Sequence, residues 1–375
     1  MSKWKTETLK SLTLQITDGK HGDCQNENNS GYYFISCKDI FDEKIHYTDA
    51  RQITYADYLD THKRTRLEIN DILITNSGTI GRMAFISDAE LCKKTTFQKS
   101  VAIVKPDPQK IYPKYLYYLL QSLVGSFVNS SNGSAQKNLL LSTMRDFSVC
   151  YINDVPVQRK IADVLSAYDD LIENNRKQIK LLEEAARRLY KEWFIDLRFP
   201  GYENTKIING IPEGWEKILL RNLIEIKYGK DHKNIPDGNI PVYGSGGFMR
   251  KCLRALHNGE AVLIPRKGSL NNIMYVNENF WTVDTMFYAL MKRSDIGFFI
   301  YFLLKSFDMY AMNIGAAVPS MTTSTLNAID VVLPTATILE DFHNNVNALF
   351  KRISILNKQN YKLMESRDRL LKKLL

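Results

Sequence analysis

Two glycine-containing segments of the chain concentrate side chains that donate hydrogen bonds or bind anions. Each lies between short apolar runs that predict β-strands. The polar residues around Gly78 and Gly81 are Asn76, Ser77, Thr79 and Arg82, and those around Gly268 are Arg266, Lys267, Ser269, Asn271 and Asn272. Glycine permits a tight turn close to a phosphate, and Asn and Arg can hydrogen-bond to base edges. The alternative is a polar hairpin tip that simply faces water.

Three further polar or basic clusters extend this chemistry along the chain. Their members are Lys93, Lys94, Gln98 and Lys99; Gln136 and Lys137; and Tyr243, Ser245, Arg250 and Lys251. Lysine suits contacts with phosphates, whereas Arg, Asn and Gln are better suited to reading bases. The formal charge of +9 favours an anionic partner, but a charge of this size does not identify that partner.

Neither a metal site nor a catalytic site is predicted. The five cysteines are scattered without a CxxC pair, which indicates a reducing cytoplasm. His21, Cys24, Cys37 and His46 match no zinc-binding spacing, so we interpret them as ordinary loop and core residues. A phosphate-binding GxxxxGK[ST] loop, a [DN]PPY-type methyltransferase motif and a compact PD…ExK nuclease set are missing from the sequence.

Export and membrane insertion are not expected. The opening residues, MSKWKTETLK, lack the apolar core of a signal peptide. The most apolar window, residues 296–307, is too short to cross a bilayer, and it predicts a buried helix instead.

The second half of the chain repeats the first, with gradual changes in spacing. Gly78 aligns with Gly268, and the pair Ser142-Thr143 aligns with Ser324-Thr325. The aligned segments are residues 69–86 with 258–276, 96–104 with 282–290, 112–122 with 296–306, and RLYKEW at 188–193 with RLLKKL at 369–374. Loop insertions produce such a drift in a duplicated sequence, because loops tolerate length changes better than packed elements. We therefore predict an α+β protein with two similar mixed α/β domains that form a pseudo-twofold internal repeat.

Each copy is predicted to end in a long helix, which divides the chain into four parts. The predicted parts are a first domain at 1–153, a first helical region at 154–197, a second domain at 198–337 and a second helical region at 338–375. The stretch 200–215, rich in Gly and Pro, marks the boundary between the two halves.

The two predicted helices carry apolar residues at alternating steps of three and four, which is typical of a coiled-coil seam. The seam residues are Ile161, Leu165, Ile172, Leu182 and Leu189 in the first helix and Val346, Leu349, Ile353, Leu363 and Leu370 in the second. Asn175 and Asn360 interrupt the seam, and an antiparallel pair would place them side by side, where they would penalise slipped registers. Each helix, at about forty residues, would be roughly 60 Å long and would hold the two domains at a fixed distance. The alternative is two unrelated helices, each packed on its own domain.

Several phrases of the sequence, in their order, resemble one known family over essentially the whole chain. They are ITDGKH (16–21), SGTIGR (77–82), GSAQKNLLLSTM, VPVQRKIADVLSAYDDLIENNRKQIKLLE, IPVYGSGG (240–247), PRKGSL, VDTMFYAL and AAVPSMTTSTL. This order resembles the specificity (S) subunit of type I restriction-modification systems. Two departures are the missing Glu-Gln at the head of each helical region and the replacement of Gln136-Lys137-Asn138 by Val318-Pro319-Ser320. The second departure suggests that the two domains read different sequences.

The resemblance implies a subunit that recognises a bipartite target on double-stranded DNA and has no catalytic groups of its own. Two methyltransferase (M) subunits would bind the helical rod. Restriction (R) subunits would complete a cytoplasmic type I endonuclease and adenine-N6 methyltransferase. S-adenosylmethionine, ATP and magnesium would be bound by those partners. With this resemblance, we expect the two glycine loops and the three further clusters to contact DNA.

Three other functions fit parts of the sequence. A stand-alone sequence-specific regulator would bind its site without a methyltransferase. A nuclease or methyltransferase would carry an unrecognised catalytic site, and a structural coiled-coil adaptor would not bind DNA. Copurification with a larger methyltransferase chain would separate a specificity subunit from a regulator.

Overall fold

The computed structural model describes residues 4–131, 138–312 and 319–375. The chain forms two compact units, one made of Met1–Asn174 with Gln359–Leu375 and the other of Asn175–Lys358. We call them unit 1 and unit 2. Two of the predicted DNA-contacting residues, Gln136 and Lys137, lie outside the described residues.

Unit 1 is built on a four-stranded antiparallel sheet. The strands of the whole unit are β1 (Trp4–Thr8), β2 (Thr13–Asp18), β3 (Tyr33–Ile35), β4 (Ile40–Phe41), β5 (Lys44–Ile45), β6 (Ile72–Thr75), β7 (Met83–Phe85), β8 (Thr95–Phe97), β9 (Val101–Pro106) and β10 (Ser148–Ile152). Its helices are α1 (Tyr55–Thr65), α2 (Ala89–Cys92), α3 (Pro113–Ser122), α4 (Val124–Asn129), α5 (Leu141–Asp146) and the first part of α6 (Val155–Tyr190). The sheet order is β2-β9-β6-β7, and β1-β10, β3-β8 and β4-β5 form separate pairs.

Unit 2 is built on a six-stranded sheet of order β14-β19-β17-β18-β15-β16. The strands of the unit are β11 (Ile207–Ile208), β12 (Ile211–Pro212), β13 (Glu216–Leu219), β14 (Ile224–Tyr228), β15 (Ile240–Gly244), β16 (Gly247–Cys252), β17 (His257–Pro265), β18 (Met274–Thr282), β19 (Met286–Met291) and β20 (Asp330–Leu333). Its other helices are α7 (Gly297–Ser306), α8 (Thr323–Asn327) and the first part of α9 (Ala336–Leu374).

The two units share one topological frame. The order β2-β9-β6-β7 in unit 1 matches β14-β19-β17-β18 in unit 2, strand for strand along the chain. The outer pair β1-β10 matches β13-β20, and both pairs are antiparallel. A short parallel contact follows in each unit, between β3 and β8 and between β15 and β18. The predicted duplication of a mixed helix and strand domain is therefore confirmed.

In unit 1, segments of both long helices contribute to a single core. Ile161 and Leu165 of α6 are buried there with strand β6, whose four residues are all buried. Leu370 of α9 packs against the same core. Arg367 in α9 is only 9% exposed, and its Nη1 lies 2.7 Å from Asp169 Oδ1 of α6. Apolar packing and a buried ion pair therefore both attach α9 to unit 1.

In unit 2, the equivalent contact is aromatic. Phe342 and Val346 of α9 are fully buried in one core with Tyr190 and Trp193. The rings of Phe342 and Trp193 have centroids 5.9 Å apart. Trp193 lies in a π-helical turn, Lys191–Ile195, that follows α6. The phrase RLYKEW therefore spans a change of helix type, whereas its repeat RLLKKL lies within α9.

Every residue of the predicted coiled-coil seam is buried or half-buried. Among the buried ones, Asn175 is 9% and Asn360 is 7% exposed. The half-buried ones are Leu182, Leu189, Leu349, Leu363 and Leu370. Helix positions with this period lie on one face, so the pattern identified the packed face of both helices.

The described residues contain no group of three or more His, Cys, Asp or Glu side chains arranged to hold a metal ion. All five cysteines are free thiols. Within the same residues, every helix is too short or too polar to cross a membrane.

Candidate nucleic-acid interface

The first glycine loop connects β6 to β7 and is closed by its own backbone. Gly78 and Gly81 have φ values of 76° and 87°, in the left-handed region that glycine adopts without steric cost. The backbone N–H of Thr75 donates to Arg82 O at 2.8 Å, and its hydroxyl accepts from Arg82 N at 2.9 Å. These bonds define the loop before any ligand binds.

The polar side chains of this loop differ in accessibility. Thr79 is exposed, Ser77 and Arg82 are half-buried, and Asn76 is only 5% exposed. The Oδ1 atom of Asn76 is buried without a hydrogen-bond partner among the described residues. Arg82 Nη1 lies 3.5 Å from Cys37 O and 3.4 Å from Ile40 O. Arg82 therefore links the loop to the segment that follows β3.

The second glycine loop connects β17 to β18 and carries exposed Lys267, Ser269 and Asn271. Asn271 donates to Asp308 Oδ1 at 3.3 Å, and its own Oδ1 accepts from Met309 N at 2.8 Å. The half-buried Asn272 donates to Ser245 O at 2.8 Å. Both asparagines therefore brace the loop.

Arg266 is the half-buried cation of the second loop. Its Nη1 donates to Asp284 O at 3.4 Å. Its guanidinium carbon lies 5.5 Å from the centroid of the Tyr228 ring, within the range of a cation–π contact. Arg266 therefore holds a position comparable with that of Arg82, beside its loop and partly open to solvent.

In both units, the segment that follows an equivalent strand lies against the loop glycine, Gly78 or Gly268. A β-carbon at Gly78 would lie 3.1 Å from Cys37 Sγ, and one at Gly268 would lie 2.8 Å from Ser245 Oγ. Cys37 follows β3 and Ser245 follows β15, which are equivalent strands. The left-handed φ at both positions favours glycine, and the neighbouring segment packs close to the loop.

A third segment pairs with each loop. Ser77 forms a β-bridge with Asn138, and Lys267 forms one with Ser320. Leu139 N donates to Asn76 O at 2.8 Å, and Met321 N donates to Arg266 O at 2.9 Å. In each unit, the segment that begins at residue 138 or 319 therefore contacts the glycine loop.

A Gly-Lys pair at the end of the first sheet strand was not recognised as a site from the sequence. A β-carbon at Gly19 would lie 1.9 Å from Phe97 O, and one at Gly229 would lie 2.0 Å from Val283 O. Lys20 Nζ is 3.0 Å from Asp57 Oδ1, and this hydrogen bond raises the pKa of Lys20. Lys230 is exposed. The sequence feature that could have identified this pair is that Gly-Lys follows an apolar strand in both halves.

The basic cluster predicted at residues 93–99 is divided by strand β8. Lys93 and Lys94 precede this strand, and Gln98 and Lys99 follow it. Lys93 Nζ pairs with Glu90 Oε1 at 2.7 Å, and this hydrogen bond raises the pKa of Lys93. Ser100, the next residue after Lys99, accepts a hydrogen bond from Asn76 N at 3.1 Å. Of the four cluster residues, Gln98 and Lys99 are the two that directly precede this contact with the glycine loop.

The hairpin β15–β16 places the predicted cluster of Tyr243, Ser245, Arg250 and Lys251 beside the second glycine loop. Tyr243 donates its hydroxyl hydrogen to Glu278 Oε1 at 2.7 Å. Burial, together with this bond, holds the pKa of Tyr243 far above its ordinary value. Arg250 donates to Asp237 Oδ1 at 2.8 Å and to Ile235 O at 2.8 Å. Lys251 is exposed, as are two apolar residues that sequence reasoning did not select, Phe248 and Met249.

One protein-family model matches both halves of the chain. The family model described as the type I restriction modification DNA specificity domain matches residues 1–184 and 212–363. The chain belongs to this family. It is a specificity subunit, the non-catalytic component that recognises DNA in type I restriction-modification systems.

Individual relatives agree with this assignment. The type I restriction enzyme MjaIX specificity subunit of Methanocaldococcus jannaschii is 30% identical, over 81% of this chain and 76% of that protein. The HindI specificity subunit of Haemophilus influenzae is 21% identical, over 100% of this chain and 99% of that protein. The crystal structure of an S subunit from M. genitalium aligns with a TM-score of 0.57 at 18% identity and covers 99% of this chain and 96% of that one. This last likeness concerns the fold.

Replacing Gly268 by Ala should weaken binding to target DNA about tenfold. The new side chain would meet Ser245 Oγ at 2.8 Å, and a left-handed φ costs an L-residue roughly 1–2 kcal/mol, so the loop must move. Gly125→Ala on α4 is the control, because a β-carbon there meets nothing within 4 Å. Titration of a labelled target duplex at fixed salt measures the effect, with circular dichroism to check folding. Equal affinity of Gly268→Ala and wild type would contradict it.

Proposed function

We propose that the chain recognises a split DNA target, with one recognition domain in each unit reading one half-site. The recognition domains are assigned to residues 1–153 and 198–337, and the helical regions to 154–197 and 338–375. The observation that carries this proposal is that the same three segments meet at a glycine loop in both units. The double match of the family model supports it.

The DNA-contacting surface is proposed to centre on the two glycine loops. Exposed Lys99 and Lys267 suit phosphate contacts. Arg82 and Arg266 suit base contacts, because their carbonyl partners at 3.4–3.5 Å are at the long limit of a hydrogen bond and are readily exchanged. The other predicted contacts remain candidates: Asn76, Ser77, Thr79, Lys93, Lys94, Gln98, Gln136, Lys137, Tyr243, Ser245, Arg250, Lys251, Ser269, Asn271 and Asn272.

We infer that α6 and α9 pair antiparallel as a coiled-coil rod that keeps the half-sites about one helical turn of DNA apart. Two observations support this inference. The beginning of α6 and the end of α9 share the core of unit 1, and the end of α6 and the beginning of α9 share the core of unit 2. The burial of Asn175 and Asn360 supports the register in which the two amides pair.

The partners are proposed to be two methyltransferase subunits on the helices and restriction subunits that complete the complex in the cytoplasm. S-adenosylmethionine, ATP and magnesium are assigned to those partners. Exposed apolar residues on the helices support a docking role, since Leu171 is 52% and Leu181 is 69% exposed.

Arg82→Ala and Arg266→Ala should each weaken target binding without unfolding the protein. Loss of an arginine that contacts a base costs about 1–3 kcal/mol, or roughly five- to 150-fold in affinity. Arg188→Ala is the control, because Arg188 is exposed on α6. Dissociation constants for the target duplex are measured at one defined salt concentration. Unchanged affinity in both variants would remove the glycine loops from the site.

The proposed pairing of Asn175 with Asn360 is tested by a double-mutant cycle with leucine. Each single Asn→Leu change should lower stability, because a buried amide that loses its partner costs about 1–3 kcal/mol. The double change should restore most of this loss. Asn175→Leu combined with Asn357→Leu is the control, because Asn357 is exposed on α9. Strictly additive effects in denaturant unfolding of the Asn175/Asn360 pair would refute the register.

A tagged chain isolated from its host should bring a methyltransferase chain with it in a fixed ratio. The double substitution Leu171→Asp and Leu181→Asp should reduce that yield while preserving the fold, because both side chains are exposed. Gel filtration and mass spectrometry measure the ratio. Target-specific DNA binding by a chain that purifies alone would contradict the proposed partnership with methyltransferase subunits.

A further inference from the structure

The hairpin β15–β16 of unit 2 ends in a tight glycine-rich tip. Gly244 pairs with Gly247 across the hairpin, so that Ser245 and Gly246 form the turn. The register shifts next to Tyr243, which pairs with Phe248, while Val242 pairs with Arg250. Met249 is therefore an extra residue in β16, as in a β-bulge.

Two large apolar side chains project from this tip. Phe248 is 58% and Met249 is 52% exposed. The Phe248 ring stands edge-on to the Tyr243 ring, with centroids 6.4 Å apart. A β-carbon at Gly244 would lie 2.6 Å from Met249 Sδ, so glycine at this position makes room for the methionine. Both side chains are thus positioned by their neighbours although they remain open to solvent.

The polar groups that flank the tip are already engaged within unit 2. The Arg250 guanidinium donates to Asp237 Oδ1 at 2.8 Å, to Ile235 O at 2.8 Å and to His232 Nδ1 at 3.1 Å. The Tyr243 hydroxyl is held by Glu278. The carbonyl oxygen of Ser245 accepts from Asn272. What the tip presents outward is therefore mainly apolar.

We propose that Phe248, with Met249 beside it, contacts the C5-methyl group of a thymine in the half-site read by unit 2. This inference rests on the proposed function and names a specificity-determining contact within it. The major groove admits a two-stranded β-ribbon such as this hairpin. The thymine methyl is the apolar group that base edges display there, so an apolar tip selects it.

The surroundings of the hairpin favour DNA over an apolar protein partner. The hydrogen bond from Asn272 to Ser245 O, at 2.8 Å, joins the hairpin to the second glycine loop. Exposed Lys251 lies on the same hairpin, exposed Lys267 on the adjoining loop and exposed Arg254 just beyond β16. An apolar tip with cationic neighbours complements a polyanion that also displays methyl groups.

The contact is specific to unit 2. In unit 1 the segment that follows β3 is a 3-10 turn, Cys37–Asp39, and its carbonyl groups accept from Arg82. This turn presents exposed Lys38 and no exposed apolar side chain. The thymine dependence is expected in one half-site only.

The test is a deoxyuridine scan with the full-length chain, in the complex isolated from its host. The target duplex is enriched from a random-sequence pool by the wild-type protein, and each thymine is then replaced by deoxyuridine, which lacks the C5-methyl group. One replacement in one half-site should weaken wild-type binding about fourfold, the value of one buried methyl group. Phe248→Ala should weaken binding to the unmodified duplex on the order of tenfold and should remove the effect of that replacement.

Three controls test whether the loss of affinity arises from the thymine contact itself. Ile207→Ala is the matched variant, because Ile207 is also 58% exposed but lies on the separate hairpin β11–β12. Phe248→Leu should recover part of the lost affinity. Phe248→Ala should leave the dependence of binding on salt unchanged, whereas Lys267→Ala should reduce the slope of log K against log salt by about 0.9.

The outcomes are distinguishable. Wild-type affinity in Phe248→Ala, or a full deoxyuridine effect that persists in this variant, would overturn the thymine contact. A target half-site in which no thymine methyl matters would overturn it as well. If Arg82→Ala, Arg266→Ala and Lys267→Ala also bind normally, the proposed interface fails; if only Phe248→Ala binds normally, the interface stands and this inference falls.

Discussion

The organisation of this protein depends on cores that are completed by helical segments distant in sequence. In unit 2, Phe342 and Val346 are buried with Tyr190 and Trp193, and none of these residues belongs to the sheet. In unit 1, Leu370 packs on the core that contains Leu165. Because burial of such side chains is the main favourable term in folding, each recognition domain is inseparable from its helical segments. Loops can then vary on a frame that the helices fix.

Within that frame, glycine allows three segments to converge on one point in each unit. Gly78 and Gly268 hold left-handed backbone conformations, with φ values of 76° and 86°. Side chains of the neighbouring segment, Cys37 and Ser245, lie where a β-carbon would interfere. The two units share this arrangement, but the side chain next to the glycine differs: it is a thiol in unit 1 and a hydroxyl in unit 2. A duplicated scaffold can in this way present two different recognition surfaces.

The sequence predicted the frame better than the surface. Apolar periodicity and the drifting repeat identified the paired domains and the packed helix faces, because burial leaves a regular signal in residue type. The direction of polar side chains leaves no such signal. Asn271 hydrogen-bonds to Met309 and Asp308, and Arg250 pairs with Asp237, all within unit 2. These partners are set by tertiary contacts that spacing alone does not reveal.

Two other differences between the sequence-based predictions and the structure have similar physical causes. Residues 93–99 look like one basic cluster, but Thr95, Thr96 and Phe97 form a fully buried strand that separates its ends. Phe248 and Met249 read as core residues by type, and only the hairpin register exposes them. Residue type predicts burial on average, so an exposed apolar pair on a tight turn is visible only once the strand pairing is known.

The composition of the two units also sets the order in which they can form during synthesis. Unit 2 is made of residues 175–358 and has all of its core once residue 358 has left the ribosome, whereas unit 1 needs residues 359–375 as well. Unit 1 is translated first, but its core is therefore completed last. Leu370 packs against the core that contains Leu165, and about two hundred residues separate the two in sequence. A released chain truncated after residue 358 would keep every residue of unit 2 and would leave the core of unit 1 without Leu370, with apolar surface available to chaperones.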